Sequence, residues 1–286
     1  NYNNEKIIKE YNFTTNAKSD CEVILHLYNY LINKIGQENE NPYNDVMNIL
    51  CNKLDGEFSF VLYDTKRNNV YVARDPYGVR PLFIGNTDNG DYVFSSELKG
   101  LNNLATDVKQ FEPGTFMIID NNMPQLKLEV YENRYHNITY YNNINNIDNT
   151  NTQNILTDLN SCFREAVYKR MMSDKEICSL LSGGLDSSLI AAIVNEYHIK
   201  NNLPALETYS IGIEGSDDLS YAKKVADYLG TKHTQIVLKE QDFLNAIPDV
   251  VNAVETYDTT TIRASVGNYL VSKYISENSE AKVIFN

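Results

Sequence analysis

A short segment rich in glycine and serine, set between two apolar stretches, constrains this chain more than any other feature. Residues 182–188 read Ser-Gly-Gly-Leu-Asp-Ser-Ser, directly after the apolar run 177–181 and directly before the apolar-periodic segment 189–197. This order predicts a β-strand, a tight glycine turn and an α-helix. Glycines let the backbone come close to a ligand, and the first amides of a helix have no intrahelical partner. The segment therefore predicts an anion site, above all for phosphate or pyrophosphate.

The side chains of this segment fit a nucleotide with a bound cation. Three serine hydroxyls supply hydrogen-bond donors, and Asp186 supplies a carboxylate that could hold Mg²⁺ against phosphate oxygens. A Gly-Gly turn with a capping serine or aspartate is also ordinary structure. The combination of both glycines, the serines and the acid favours nucleotide binding. Because the Gly-Lys-Ser/Thr ending of a Walker loop is missing, the segment resembles instead the pyrophosphate loop of enzymes that adenylate a carboxylate.

Charge and cysteine content argue against several classes of function. The formal net charge of −13 does not suit a nucleic acid or an anionic membrane surface, since either would need a basic patch. The four cysteines and four histidines are widely spaced, which argues against a zinc site and favours reduced cysteines. The longest apolar run, residues 189–194, is far too short to span a bilayer. We therefore expect a cytoplasmic protein with neither nucleic-acid nor membrane partners.

A polar stretch divides the chain into two regions with different patterns. We predict an Asn-rich linker over 139–154, most of which reads NNINNIDNTNTQN. In the region before it, 1–138, residues 19–22 fit a capping box at the start of a helix. Two β-rich stretches, 58–63 and 70–73, predict a hairpin. A helix followed by hairpins predicts an α+β layered domain.

The region after the linker, 155–286, alternates between predicted strands and helices. The strands cover 176–181, 207–213, 234–238 and 282–285. The helices cover 187–197, 218–229, 241–254 and 264–276. Such alternation predicts parallel strands with right-handed crossovers, which is an α/β doubly wound sheet. In these sheets ligands bind beyond the carboxyl ends of the strands, which is where the glycine segment falls.

Four segments together resemble the glutamine-hydrolysing asparagine synthetases. They are SDCEVI at 19–24, RDPYGVRPL at 74–82 with SSELK at 95–99, SGGLDSS at 182–188 and ETYDTTTIRAS at 255–265. The second marks a class II glutamine amidotransferase domain, and the last is the most particular to asparagine formation. The resemblance covers nearly the whole chain. It implies an α+β N-terminal-nucleophile-type sandwich, incomplete at its start, followed by an α/β doubly wound parallel sheet of the adenine nucleotide alpha-hydrolase-like type.

The resemblance also implies a reaction with its substrates and cofactors. The chain would belong to an ATP-dependent carbon–nitrogen ligase of asparagine biosynthesis. The β-carboxylate of aspartate attacks the α-phosphorus of ATP to give β-aspartyl-AMP and pyrophosphate, and ammonia from glutamine then displaces AMP. ATP and Mg²⁺ are the implied cofactors. The implied partners are aspartate, glutamine and ATP. Whether the chain also forms a homodimer is left open.

The same resemblance assigns site residues. The ATP and pyrophosphate site consists of Leu180, Ser182, Gly183, Gly184, Asp186, Ser187, Ser188 and Ile211, with Asp186 also as the metal ligand. Asp20 matches the acid that holds the amino group of glutamine, although it could simply cap a helix. Thr260, Thr261 and Arg263 match the aspartate-binding segment, where a guanidinium can grip a carboxylate in bidentate fashion. Arg263 could instead form a surface ion pair.

Other conspicuous residues are predicted to be structural. Arg74, Asp75 and Arg80 lie among turn-forming prolines and glycines, so we expect them to brace a turn. The acidic segment 214–218 is predicted to be a solvated loop rather than a metal site.

Two departures from the family pattern bear on activity. The chain begins with Asn1 where the family has a catalytic cysteine, so no catalytic residue is assigned. Cys21 cannot replace it, because a residue inside the chain has no free α-amine to act as base. The last predicted strand stops before the family's Gly-Glu-Gly loop. We therefore expect an internal fragment, inactive by itself. The rival functions are a related amide- or β-lactam-forming synthetase and a non-catalytic nucleotide-binding protein.

Overall fold

A computed structural model describes residues 1–17, 19–36, 42–122, 131–137 and 149–286. The chain forms two compact units, Asn1–Asn142 and Asn143–Asn286. Within the described ranges, no helix combines the length and the apolar character needed to cross a bilayer.

The described part of the first unit contains three α-helices and two antiparallel sheets. The helices are α1 (Asn4–Tyr11), α2 (Glu22–Ile35) and α3 (Tyr43–Lys53). The strands are β1 (Ser59–Asp64), β2 (Asn69–Arg74), β3 (Phe83–Asn86), β4 (Tyr92–Ser95), β5 (Thr106–Gln110), β6 (Thr115–Asp120) and β7 (Tyr131–Arg134). One sheet has the order β1-β2-β6-β7 and the other the order β4-β3-β5. The predicted hairpin is confirmed as β1 and β2, which pair from Ser59–Arg74 to Asp64–Asn69.

These elements pack in three layers: the helices, the larger sheet and the smaller sheet. Tyr71 and Phe116 of the larger sheet are buried in one cluster with Leu27 of α2 and Leu50 of α3. The opposite face of the same sheet, including Val72, packs in a second cluster with strand residues of the smaller sheet. Because successive strand residues alternate in direction, both faces of the larger sheet are covered. The mixed α+β character predicted for this region is therefore confirmed.

The predicted capping box at 19–22 is wrong. Helix α2 begins at Glu22, its N-cap Cys21 is in the αR conformation, and no side chain caps it. The Ser19 hydroxyl accepts from the Cys21 amide at 3.2 Å instead. The Glu22 carboxylate accepts from the Asn16 and Ala17 amides at 3.0 and 2.7 Å, because the preceding loop folds back onto it. These backbone bonds lower the pKa of Glu22.

The second unit alternates helices and parallel strands. Its helices are α4 (Asn149–Arg170), α5 (Leu185–Lys200), α6 (Asp217–Leu229), α7 (Glu240–Val254) and α8 (Thr259–Asn278). Its strands are β8 (Ile177–Leu180), β9 (Glu207–Ile213), β10 (Lys232–Leu238) and β11 (Val283–Phe285). All three strand pairs are parallel, in the order β10-β9-β8-β11. The predicted alternation of strands and helices is confirmed.

Two predicted boundaries in this region are wrong. Residues 149–154, assigned to the linker, are the first turns of α4, while residues 139–148 of that linker lie outside the described residues. Asparagine and threonine are weak helix formers, but a helix anchored by buried Val167 can extend through them. Helix α8 begins at Thr259 rather than near residue 264, because Asp258 caps it.

The order of the strands reverses direction at β8. The chain runs outward from β8 through β9 to β10, and α7 and α8 then carry it back to β11 on the other side of β8. Doubly wound sheets bind ligands at such a reversal, outside the carboxyl ends of the strands. We therefore expect a ligand site at the carboxyl edge of β8 and β11.

Candidate functional site

The glycine segment forms a loop pressed against the second turn of α6. Gly183 has a positive φ of +82°. A Cβ atom at Gly183 would lie 2.5 Å from Cβ of Tyr221 and 2.6 Å from the amide nitrogen of Ala222. Only glycine accepts both this backbone conformation and this approach. The close contact holds the loop against α6 at the carboxyl edge of the sheet.

Serine hydroxyls tie the loop together from within. The hydroxyls of Ser182 and Ser187 lie 2.9 Å apart, and the Gly184 amide donates to Ser182 Oγ at 3.3 Å. Ser188 Oγ is buried and has no hydrogen-bond partner within the described part of the chain. Helix α5 starts after Gly184 and carries no side-chain cap. The open amides of its first turn point to the same anion role that the sequence predicts.

The carboxylate of Asp186 lies in the first turn of α5, on the exposed side of the loop. No group of three or more histidine, cysteine, aspartate or glutamate residues in the described ranges could hold a metal ion. A single carboxylate nevertheless fits Mg²⁺, which keeps waters and takes phosphate oxygens as its other ligands. The role of Asp186 as metal ligand stays a prediction.

Two further carboxylates lie at this edge, and the sequence prediction for them is wrong in part. Asp217 and Asp218 belong to the first turn of α6, not to a loop. The next turn of α6 carries Tyr221, which contacts the glycine loop. The sequence did carry a signal for this placement, because the predicted helix starts at residue 218, within the acidic segment. That start puts acidic residues in the first turn of a helix that follows a parallel strand.

The start of α8 reaches the same edge. Because α8 leads into the amino end of β11, its own first turn lies at the carboxyl edge. A Cβ at Gly267 of α8 would lie 3.9 Å from Cγ2 of Ile211 in β9. Leu180 is the last residue of β8 and, like Ile211, packs against the α8 side of the sheet. The structure therefore brings Leu180, Ile211 and the α8 start to the edge that carries the glycine loop.

The predicted aspartate-binding residues lie in the first two turns of α8, all exposed. The Thr261 amide and hydroxyl each donate to Oδ2 of Asp258 at 2.8 Å, and these bonds lower the pKa of Asp258. Arg263 forms no ion pair or hydrogen bond with the described residues. The Thr261 hydroxyl is thus occupied by the helix cap, whereas the Arg263 guanidinium is open to a carboxylate.

Asp20 lies on a cavity of about 980 Å³ in the first unit. Its Oδ2 accepts from the α-ammonium group of Asn1 at 2.5 Å, and its side chain is 42% exposed. The carboxylate does not cap α2. Arg80, assigned by the sequence to a turn, also lines this cavity.

The predicted turn brace is confirmed for Arg74 and Asp75. Arg74 donates to the carbonyl oxygens of Gly78, Arg80 and Phe111 at 2.6 to 2.9 Å. Asp75 accepts from backbone amides of the same turn at 3.0 and 3.1 Å. Both side chains are buried and bonded to backbone groups, which supports a structural role.

Known protein families match both units. Residues 158–286 match the asparagine synthase family, and residues 1–103 match a glutamine amidotransferase domain. Glutamine-hydrolysing asparagine synthetase from Homo sapiens is 38% identical over the full chain, and that from Pongo abelii also 38%. Both units of the chain are therefore similar to parts of the glutamine-hydrolysing asparagine synthetases. The chain spans about half the length of these relatives, 51% of each.

A solved structure of glutamine phosphoribosylpyrophosphate amidotransferase from B. subtilis, complexed with ADP and GMP, is also similar. Its identity is 22%, with 76% of this chain and 45% of that chain covered and a TM-score of 0.38. A likeness of this size supports no conclusion about the site. The site in this chain rests on the geometry of its own residues.

Proposed function

We propose that this chain takes part in the ATP-dependent conversion of aspartate to asparagine with glutamine as the nitrogen donor. The observation that carries the proposal is the glycine loop at the strand reversal, where a tight approach to α6 and uncapped helix amides suit a phosphate group. In this proposal the first unit is an N-terminal-nucleophile-type sandwich. The second is an adenine nucleotide alpha-hydrolase-like sheet, which the order β10-β9-β8-β11 supports.

The glycine loop would hold the phosphates of ATP. Open amides at the start of α5 donate to phosphate oxygens, and the hydroxyls of Ser182, Ser187 and Ser188 add donors. Ser188 Oγ would gain the partner that it lacks. Leu180 and Ile211 would contact the adenosine through backbone and apolar surface. Mg²⁺ at Asp186, with phosphate oxygens as further ligands, would neutralise charge on the departing pyrophosphate.

Aspartate would bind between the loop and the start of α8. The open guanidinium of Arg263 suits a substrate carboxylate, and Thr260 and Thr261 flank it. Holding the β-carboxylate near the α-phosphorus turns a bimolecular attack into a step between fixed groups. Adenylation then gives the carbon a leaving group that ammonia can displace.

Glutamine would bind in the cavity of the first unit. Asp20, which lines this cavity and is 42% exposed, would hold its α-ammonium group. The charge match between an exposed carboxylate and an ammonium ion supports this role. No described residue is assigned as the nucleophile that releases ammonia.

Binding measurements separate this proposal from its rivals. Calorimetric titration with ATP and Mg²⁺, followed by L-aspartate in the presence of a non-hydrolysable ATP analogue, tests both ligands on this chain. We expect ATP to bind and L-aspartate to bind more tightly when the analogue is present. ATP binding without any response to aspartate would support a non-catalytic nucleotide-binding protein. A response to another carboxylate but not to aspartate would support a related amide- or β-lactam-forming synthetase.

A further inference from the structure

The second unit contains a cavity of about 670 Å³ that the proposed function does not use. Its wall includes Glu176 just before β8, Glu207 at the start of β9 and Lys232 at the start of β10. Parallel strands all begin at the same edge of a sheet. This amino-edge cavity therefore lies at the edge opposite to the glycine loop, and its lining residues all belong to the second unit.

A buried histidine in this wall has a ring nitrogen without a partner. His198 lines the amino-edge cavity and is only 8% exposed. Its Nδ1 lies 2.8 Å from the carbonyl oxygen of Pro204. A carbonyl oxygen can only accept, so Nδ1 carries the proton and Nε2 of the neutral ring is an acceptor. Nε2 is buried and has no hydrogen-bond partner among the described residues. Since buried polar atoms are almost always paired, this nitrogen calls for a hydrogen-bond donor.

The charges of the wall favour a donor that is also a cation. Lys232 pairs with Glu207 at 2.6 Å, and Lys175 pairs with Asp174 at 3.5 Å. The bond to Glu207 and, more weakly, the charge of Glu176 raise the pKa of Lys232. Glu176 itself is exposed and forms no ion pair or hydrogen bond through its side chain within the described ranges. Because both lysines already have an acidic partner, the wall keeps one carboxylate in excess.

The remainder of the wall suits the apolar body of a small molecule. Met171, Ile177, Tyr197 and Leu203 line the cavity together with the polar groups. A cavity of this size, with a largely apolar wall and a few polar groups, is typical of small-molecule sites in proteins. A matching ligand combines an apolar body with one positively charged donor.

We propose that the amino-edge cavity binds a small organic ammonium ion with an apolar body. The ammonium N–H donates to Nε2 of His198, and its charge is balanced by Glu176. The apolar body packs against the apolar side chains of the wall. This site is separate from the phosphate site and from the glutamine site, so it does not depend on the proposed function.

Phenethylamine, which is an ammonium ion at neutral pH, is the probe for the test. Phenylacetate is the matched control, because it carries a carboxylate in place of the ammonium group. Calorimetry measures the affinity of the chain for each compound. We expect phenethylamine to bind with a dissociation constant between about 10 µM and 1 mM. Phenylacetate should bind at least about tenfold more weakly, since it offers no donor to Nε2 and is repelled by Glu176.

Three variants assign the contacts. His198→Asn can keep the hydrogen bond to Pro204 but has no acceptor at the position of Nε2, so phenethylamine should bind about 10- to 100-fold more weakly. Glu176→Gln removes an exposed charge and should weaken binding about 2- to 5-fold. Glu240→Gln makes the same charge change in the first turn of α7, outside the wall, and should leave the affinity unchanged.

Several results would overturn the proposal. One is the absence of phenethylamine binding at about 10 mM, and another is phenylacetate binding as tightly as phenethylamine. An unchanged affinity in a folded His198→Asn variant would refute the contact with Nε2. If thermal unfolding shows that this variant is misfolded, hydrogen exchange of the unmodified chain decides. Phenethylamine should then slow exchange in peptides covering 171–177 and 197–207, and protection confined to other peptides would refute the site.

Discussion

Substitution of Gly183 by alanine should damage the second unit, while the same change at Gly184 should be nearly silent. At Gly183 the new Cβ would lie 2.5 Å from Cβ of Tyr221 and 2.6 Å from the amide nitrogen of Ala222, at a φ of +82°. At Gly184 the nearest atom is Ser182 Oγ at 3.4 Å, and φ is −69°. The two neighbouring glycines thus form a matched pair that differs in strain and crowding.

The expected loss of stability in Gly183→Ala is the sum of two costs, one from backbone strain and one from crowding. The left-handed conformation costs a residue with a Cβ roughly 1–2 kcal/mol. Crowding against the backbone and Cβ of α6 adds about 1–3 kcal/mol, because neither can move aside like a flexible side-chain tip. Gly183→Ala should therefore destabilise the second unit by about 2–5 kcal/mol. Gly184→Ala should change its stability by less than about 1 kcal/mol.

Hydrogen exchange followed by mass spectrometry is the suitable assay. The chain contains no tryptophan, so intrinsic tryptophan fluorescence is not available to follow one unit alone. Peptides from β8 and α6 should exchange about 30-fold to several-thousand-fold faster in Gly183→Ala, while peptides from α2 and α3 should not change. Equal exchange in the two alanine variants would refute the argument from close contact. Loss of protection in the first unit would show that the effect is not local.

Three further predictions concern charge. Arg263→Ala should weaken L-aspartate binding about 10- to 100-fold in calorimetry while leaving ATP affinity unchanged, because a charged hydrogen bond is lost; an equal loss for both ligands would contradict its assignment. Asp186→Asn should abolish the Mg²⁺ dependence of ATP binding, measured as affinity with and without the cation; unchanged dependence would remove Asp186 as metal ligand. Bonds from Lys232, Ser279 and Tyr209 lower the pKa of Glu207 from 4.5 to about 2. The stability that Glu207 contributes is then present at neutral pH and lost as pH falls from about 4.5 towards 2, so urea unfolding of Glu207→Gln should lack this part of the acid dependence.

Local patterns made much of the second unit predictable. The apolar run, the glycine pair and the periodic segment that follows gave β8, the loop and α5, because each signal lies within a few residues. The boundaries were less predictable where a single side chain decides them. Asp258 starts α8 five residues before the predicted helix, and Glu22 bonds to a folded-back loop instead of to Ser19.

Long-range contacts were not predictable from the sequence. The order β10-β9-β8-β11 depends on which side of β8 the last crossover returns to, and periodicity carries no such information. The contact between Gly183 and Tyr221 joins segments that share no local pattern. The cavity beside Asp20 is formed by the chain start, the α2 start and β1, which meet only in three dimensions. The roles of Asp20, Thr260, Thr261 and Arg263 therefore stay predictions that binding experiments must decide.

The pairing of β8 with β11 has a consequence for how this unit is made on the ribosome. Ser179 of β8 donates a hydrogen bond to the carbonyl oxygen of Phe285 in β11, across 106 residues of sequence. Until β11 has been synthesised, one edge of β8 has no neighbour, and an unpaired strand edge invites pairing with other chains. Closing so long a segment is also slow compared with forming α5. We therefore expect the glycine loop to form its local structure well before β11 pairs with β8. Nascent chains would then pass through a stage in which the free edge of β8 can aggregate.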